Sequence, residues 1–376
     1  MLAKTGFSSV EAARVQQSEP SSVLETKLVL SDGTEYIGRF FGAQKNVRGE
    51  VVFNTGLTGY VESLTDPSYR GQILVLTYPL QGNYGVPRDR FESKKIQVQG
   101  LIVSRYSQSH SHYEAVRSLS EWLQSEGVPA LEGIDTRQLT KRLREHGTLE
   151  GALRAGDHEP VEGVDMSQAA KDAAWPEMIR YEGKGPVILV IDAGIKESII
   201  RSLTRRGASV LRVPFYRPWE SILQDVQGIV IGNGPGDPSD LKDLADRLRL
   251  AFERKIPVFG ICLGHQLLSL AAGAKTYKLK YGHRSQNQPV KDLTTGRCYI
   301  TSQNHGYAVD PASLSQDWEP WFVNLNDRTN EGIRHRSFPF YSVQFHPEAA
   351  PGPRDTAFLF DAFLDTVRET RQALLV

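Results

Sequence analysis

The stretch Pro257-Val258-Phe259-Gly260-Ile261-Cys262-Leu263-Gly264-His265-Gln266 runs from an apolar segment of strand length, through a cysteine set between glycines, into residues with helical spacing. So tight a junction puts Cys262 on a sharp strand-to-helix turn, the arrangement that presents a nucleophile above the carboxyl edge of a sheet. Gly260 and Gly264 are expected to let the backbone come close to a substrate, and a helix N-terminus favours negative charge on the sulfur. A free cysteine is also a common small core residue. The position between two glycines at a strand end argues instead for a thiol exposed to solvent.

Strands and helices alternate around this turn: strand 187–192, helix 196–206 stopped by Gly207, strands 210–213 and 228–231, helix 240–254, strand 257–261 and helix 264–272. Alternation of this kind implies parallel strands with helices on both faces, an α/β fold with a doubly wound, mostly parallel sheet over residues 186–376. Ligands of such sheets sit at the carboxyl ends of the strands. Residues 157–185, interrupted by Gly, Pro and acidic residues, read as a linker. Residues 25–156 read as a β-rich α/β domain. Its signals are a hairpin of strands 27–30 and 35–41 around Asp32-Gly33, apolar strands 49–53, 72–76 and 96–103, and helices 113–126 and 137–146. Residues 1–24 read as a loose tail without the apolar core of a secretory signal.

Composition narrows the function. Lys and Arg total 44 and so do Asp and Glu, and no long basic run is present, which argues against a nucleic-acid partner. The longest apolar runs, such as 187–191 and 258–263, fall far short of the about 20 residues that cross a bilayer. Two cysteines, Cys262 and Cys298, are too few for a disulfide framework or a cysteine-based zinc site and point to a reducing, cytoplasmic setting. Cys298 reads as a strand core residue, and His110 and His112 as exposed loop residues rather than metal ligands; no metal is expected in the chain.

A thiol nucleophile needs a general base, and His346 in Tyr341-Ser342-Val343-Gln344-Phe345-His346-Pro347-Glu348 follows an apolar strand. Glu348, two residues on and across a stiffening proline, is placed to orient the imidazole, which is triad logic with Glu in the third role. The loop Gly232-Asn233-Gly234-Pro235-Gly236-Asp237-Pro238 follows strand 228–231 and offers backbone N–H groups beside the turn. With the N–H of Leu263, one of them would hold the oxygen of a tetrahedral intermediate. Strings of this composition are usually plain turns, and a histidine after a strand is usually structural. The combination carries the reading.

Taken together, Gly260-Ile261-Cys262-Leu263-Gly264-His265-Gln266, the Gly-Pro-Gly-Asp-Pro loop and His346-Pro347-Glu348 resemble a class I, triad-type glutamine amidotransferase domain. Phe53-Asn54-Thr55-Gly56-Leu57-Thr58-Gly59-Tyr60, Leu64-Thr65-Asp66-Pro67-Ser68-Tyr69 and Gly133-Ile134-Asp135-Thr136-Arg137 resemble the N-terminal domain of carbamoyl-phosphate synthetase small subunits. Gln303-Asn304-His305-Gly306-Tyr307 resembles their amidotransferase half. The resemblance implies Cys262 as nucleophile, His346 as base and Glu348 as its orienter, with L-glutamine contacts from Gly56, Gly234, Gly236, Leu263, Gln266, Asn304, Gly306 and Tyr307. Gly56 stands where many members carry a serine, Tyr307 where phenylalanine is common, and Tyr281–Asn287 (YGHRSQN) where a more glycine-rich string is usual.

The implied activity is hydrolysis of glutamine to glutamate and ammonia through a glutamyl thioester. A large subunit holding ATP and Mg would receive the ammonia, in a heterodimer or an oligomer of heterodimers, for arginine and pyrimidine biosynthesis. The chain itself has no phosphate-binding G-x-x-x-x-G-K-[ST] string, and no cofactor is expected in it. The rival readings are a stand-alone γ-glutamyl hydrolase with a Cys–His–Glu triad and a non-catalytic regulatory module.

Overall fold

The computed structural model describes residues 26–156 and 163–375; the 1–24 stretch read as a tail lies outside the described residues. Seven strands close a barrel: β1 (Thr26–Leu30), β2 (Glu35–Phe40), β3 (Val47–Asn54), β4 (Gln72–Gln81), β5 (Gly100–Tyr106), β6 (Ala130–Glu132) and β7 (Leu149–Ala155), in the order β1-β2-β6-β5-β4-β3-β7. The Asp32-Gly33 hairpin forms as expected, with Leu28 opposite Tyr36. β3, β4, β5 and β6 pair in parallel, which requires crossovers. Helices α1 (Tyr60–Thr65), α2 (Leu119–Ser125) and α3 (Thr136–His146) lie in the connections between barrel strands.

The period of two is visible in the packing. Val51, Ile73, Val75 and Ile102 join one apolar cluster with Leu139 and Leu143 of α3, whereas Val52, Leu74 and Val103 face α1 and α2. The helix expected over 113–126 begins only at Leu119. Ser118 caps it, accepting from the N–H of Glu121 while the Glu121 carboxylate accepts from the N–H of Ser118, and that reciprocal pair fixes the start.

Beyond the barrel, α4 (Ala169–Ala173) and β8 (Ile179–Tyr181) occur within the stretch read as linker, and β8 pairs with the second sheet. That sheet continues with β9 (Val187–Asp192), α5 (Glu197–Thr204), β10 (Ser209–Pro214), β11 (Gly228–Ile231), α6 (Lys242–Glu253), β12 (Val258–Ile261) and α7 (Leu263–Ala271). It is completed by β13 (Lys275–Asp292), β14 (Cys298–Asp310), β15 (Trp318–Asn324), β16 (Asn330–His335), β17 (Phe340–Val343) and α8 (Phe358–Leu375).

The ten strands run β14-β13-β15-β16-β17-β12-β11-β9-β10-β8. The doubly wound parallel layer is present, formed by β17, β12, β11, β9 and β10. Leu189, Ile191, Ile229 and Ile231 point toward α6 and α7, while Ile188, Val190, Val230 and Ile261 point toward α5 and α8. The sheet as a whole is mixed, because β13 to β16 extend one edge by antiparallel hairpins and β8 closes the other edge antiparallel. Cys298 opens edge strand β14 but is exposed rather than a core residue, having no neighbouring strand on its outer side among the described residues.

Candidate active site

Between β12 and α7, Cys262 adopts φ 56° and ψ −105°, a strained backbone for a residue with a side chain. The packing explains why glycines flank it. A Cβ on Gly264 would stand 2.1 Å from the carbonyl oxygen of Ile231, and one on Gly260 would stand 2.5 Å from that of Gly264. These glycines therefore let β11, β12 and α7 close on one another, rather than opening the backbone to a substrate as expected. The thiol is not solvent-exposed either: Cys262 is 2% exposed, at the floor of a cavity of about 780 Å³. Its S–H donates to the carbonyl of Asn304 at 3.6 Å.

Neighbouring strands deliver the partner residues. Ile261 of β12 is in register with Val343 of β17, and the N–H of Cys262 donates to Val343 at 2.9 Å. His346 follows three residues later, held by its N–H to Ser302 at 2.9 Å. Its Nδ1 lies 2.7 Å from Glu348 Oε1, while its Nε2 is buried and without a hydrogen-bond partner among the described residues. Burial alone would lower the pKa of His346, but Glu348 and the Cys262 sulfur outweigh it and raise the pKa to about 10. Burial would raise that of Glu348, yet Lys196 and His346 hold it down to about 2.

No motif in the sequence marks Lys196. Its Nζ donates to Glu348 at 2.9 Å and to the carbonyl of Ala349 at 2.6 Å, wholly inside the protein. Burial disfavours its charge, but Glu348, Glu92 and Asp66 win and raise its pKa. Asp66 of the barrel is the second group missed. It accepts from the side chains of Asn304 at 3.0 Å and Asn233 at 3.3 Å, tying both loops of the site to the barrel.

Of the expected substrate contacts, Gly234, Gly236, Leu263, Gln266, Asn304, Gly306 and Tyr307 all line the Cys262 cavity. Neither the N–H of Gly234 nor that of Leu263 is bonded to another group among the described residues, so both are free for an oxyanion. Gln266 spends its amide N–H groups on Tyr307 at 3.0 Å and Gln344 at 3.1 Å, leaving its carbonyl oxygen to accept. The Asn304 side-chain amide donates to Asp66 at 3.0 Å.

Gly56 does not line the cavity. Its N–H donates to Asn54 Oδ1 at 2.7 Å, and a Cβ there would stand 2.4 Å from Gln286 Nε2, which donates to Thr58 at 2.6 Å. The glycine at 56 and the glutamine at 286 thus fit one another.

His110 and His112 are exposed. Among the described residues, His283, His305 and Glu331 bring potential ligand atoms within 4.8 Å of one another. Both rings are already engaged, His283 with Gln303 at 3.0 Å and Asp327 at 2.8 Å, His305 with the Tyr307 carbonyl at 2.8 Å and Gln303 at 3.1 Å. His283 also meets two acids, Asp327 at 2.8 Å and the fully buried Glu331 at 3.3 Å.

A cysteine elbow, a His–Glu pair from the adjacent strand and a glycine loop at the carboxyl edge of a parallel layer define a class I glutamine amidotransferase. Residues 189–366 match the family described as glutamine amidotransferase class-I, and residues 28–153 match the carbamoyl-phosphate synthase small chain, CPSase domain. A protein of Emericella nidulans named carbamoyl phosphate synthase arginine-specific small chain is 47% identical over 384 residues, spanning 96% of this chain and 84% of that one. This chain belongs to the carbamoyl-phosphate synthase small chain family. The multifunctional protein URA2 of Saccharomyces cerevisiae is 47% identical over 91% of this chain and 17% of its own length. A solved glutamine amidotransferase from Thermotoga maritima superposes with a TM-score of 0.37 at 20% identity, over 50% of this chain and 85% of that one.

Proposed function

We propose that the Cys262 cavity is the glutamine site of a glutamine-hydrolysing carbamoyl-phosphate synthase, with Cys262, His346 and Glu348 as its triad. The observation that carries the reading is the convergence of a strained thiol and a Glu-held imidazole at the carboxyl ends of adjacent strands β12 and β17. In the reactive pair the proton of the Cys262 thiol has passed to His346, whose charged ring Glu348 holds at 2.7 Å. The sulfur attacks the γ-carbonyl carbon of glutamine, and the oxyanion that forms accepts from the N–H groups of Leu263 and Gly234. His346 gives its proton to the departing nitrogen, the C–N bond breaks, and ammonia leaves behind a glutamyl thioester. Now neutral, His346 takes a proton from water; the hydroxide adds to the thioester carbon, the C–S bond breaks, glutamic acid leaves and sheds its carboxyl proton to solvent, and the thiolate–imidazolium pair is restored.

The ammonia passes to a large chain that carries ATP and Mg, in a heterodimer. Two free cysteines and no helix long and apolar enough to cross a membrane, among the described residues, support a cytoplasmic setting. Replacing Cys262 with Ser is expected to cut glutamine-dependent carbamoyl phosphate synthesis by at least about 1000-fold while synthesis from added ammonia persists. Glutamine-dependent synthesis surviving in that variant contradicts the assignment.

A further inference from the structure

Among the described residues, three cations line the Cys262 cavity: Arg48, Lys278 and Arg284. Two are surface residues with acids of their own, Arg48 lying 3.7 Å from Glu150 and Lys278 2.9 Å from Glu50. Arg284 is different. It is 6% exposed and has no carboxylate within ion-pair distance among the described residues. Its Nη1 donates to the carbonyl of Tyr281 at 2.7 Å, and its Nε is buried without a partner. A guanidinium stays charged in proteins, and Glu50, also on the cavity wall, offsets part of that charge through space without forming an ion pair with it. The buried fork therefore keeps donors free for an anion.

The position of Arg284 names the anion. Nη2 lies 3.3 Å from where a Cβ on Gly306 would stand, which puts the fork beside one of the cavity's expected substrate contacts. Cys262 lines the same cavity. An amino acid whose side-chain amide meets Cys262 carries one other anionic group, its α-carboxylate, and a planar guanidinium fork is the side chain best matched to a carboxylate.

We propose that Arg284 binds the α-carboxylate of the glutamine held at Cys262, and so selects a free amino acid over a peptide-linked or amidated one. The proposal rests on the reading of the cavity as the glutamine site. It makes Arg284, in the string that departs from the usual glycine-rich version, a specificity residue of this chain.

The test measures ammonia release by the full chain, with its large chain present, from L-glutamine and from L-glutamine α-amide, in which the carboxylate is neutralised. Wild type is expected to favour L-glutamine. Arg284→Gln is expected to lose at least about tenfold in kcat/KM on L-glutamine, mostly through KM, with activity on the α-amide unchanged, and Arg284→Lys to recover part of the loss. A fall by the same factor on both substrates, or on neither, in either variant overturns the proposal, because a purely structural arginine cannot change the ratio. Failure of the underlying site reading looks different: Cys262→Ala would go on releasing ammonia from L-glutamine.

Discussion

Glu348 has two cationic neighbours, His346 at 2.7 Å and Lys196 at 2.9 Å, and its side chain is wholly buried. The carboxylate therefore both orients the imidazole and neutralises an interior ammonium. Glu348→Gln removes both functions at once. It is expected to destabilise the fold by about 3–5 kcal/mol, since an uncompensated buried Lys196 remains, and to reduce glutamine hydrolysis. Adding Lys196→Met should recover stability without recovering activity. Urea unfolding followed by circular dichroism, beside a glutamate-release assay, separates the two effects; equal stability of wild type and Glu348→Gln would contradict this account. The sequence could nominate Glu348 because it lies two residues from His346. Lys196 is 152 residues away along the chain and Asp66 is 238 residues from Asn304, and no local pattern marks such pairings.

At the level of elements, the elbow depends on backbone meeting backbone. With a Cβ at 264 only 2.1 Å from the Ile231 carbonyl, Gly264→Ala must push α7 away from β11. It is expected to cost about 1–3 kcal/mol and to abolish hydrolysis, since the N–H of Leu263 moves with the helix. A thermal melt and an activity assay check this; an unshifted melting temperature counts against the close approach. The parallel layer was legible because β9, β11 and β12 are short runs, apolar but for Asp192 at the end of β9, separated by helical spacing. The antiparallel extension was not. β13 mixes exposed, half-buried and buried positions and is rich in Lys and Gln, so its period of two is masked. Likewise the start of α2 was set by the Ser118–Glu121 capping pair and not by the hydrophobic spacing upstream of it.

Across the whole molecule, the cavity is a seam between barrel and sheet. Glu50 and Ser68 of the barrel line it, Asp66 holds Asn304 and Asn233, and Glu92 accepts from Ser198 at 2.9 Å and pairs with Arg201 at 2.5 Å. Near the same seam, buried His283 sits against Asp327. Burial alone would lower its pKa, but its acid partners raise it from 6.5 to about 9. Its contribution to stability is therefore complete below pH 6.5 and is lost as pH rises through about 9. His346, raised in the same direction, extends the loss to higher pH. Urea midpoints at constant ionic strength should fall over that window, and His283→Gln should flatten the fall; an unchanged slope in the variant would be inconsistent with the ion pair.

The central claim is that a sulfur at the seam forms a covalent bond with glutamine. Rapid acid quenching of the chain turning over L-glutamine, followed by peptide mass spectrometry, tests it most directly. A glutamyl adduct is expected on the peptide bearing Cys262 and none on the peptide bearing Cys298. Undiminished turnover with no adduct, or with the adduct on another residue, would contradict it.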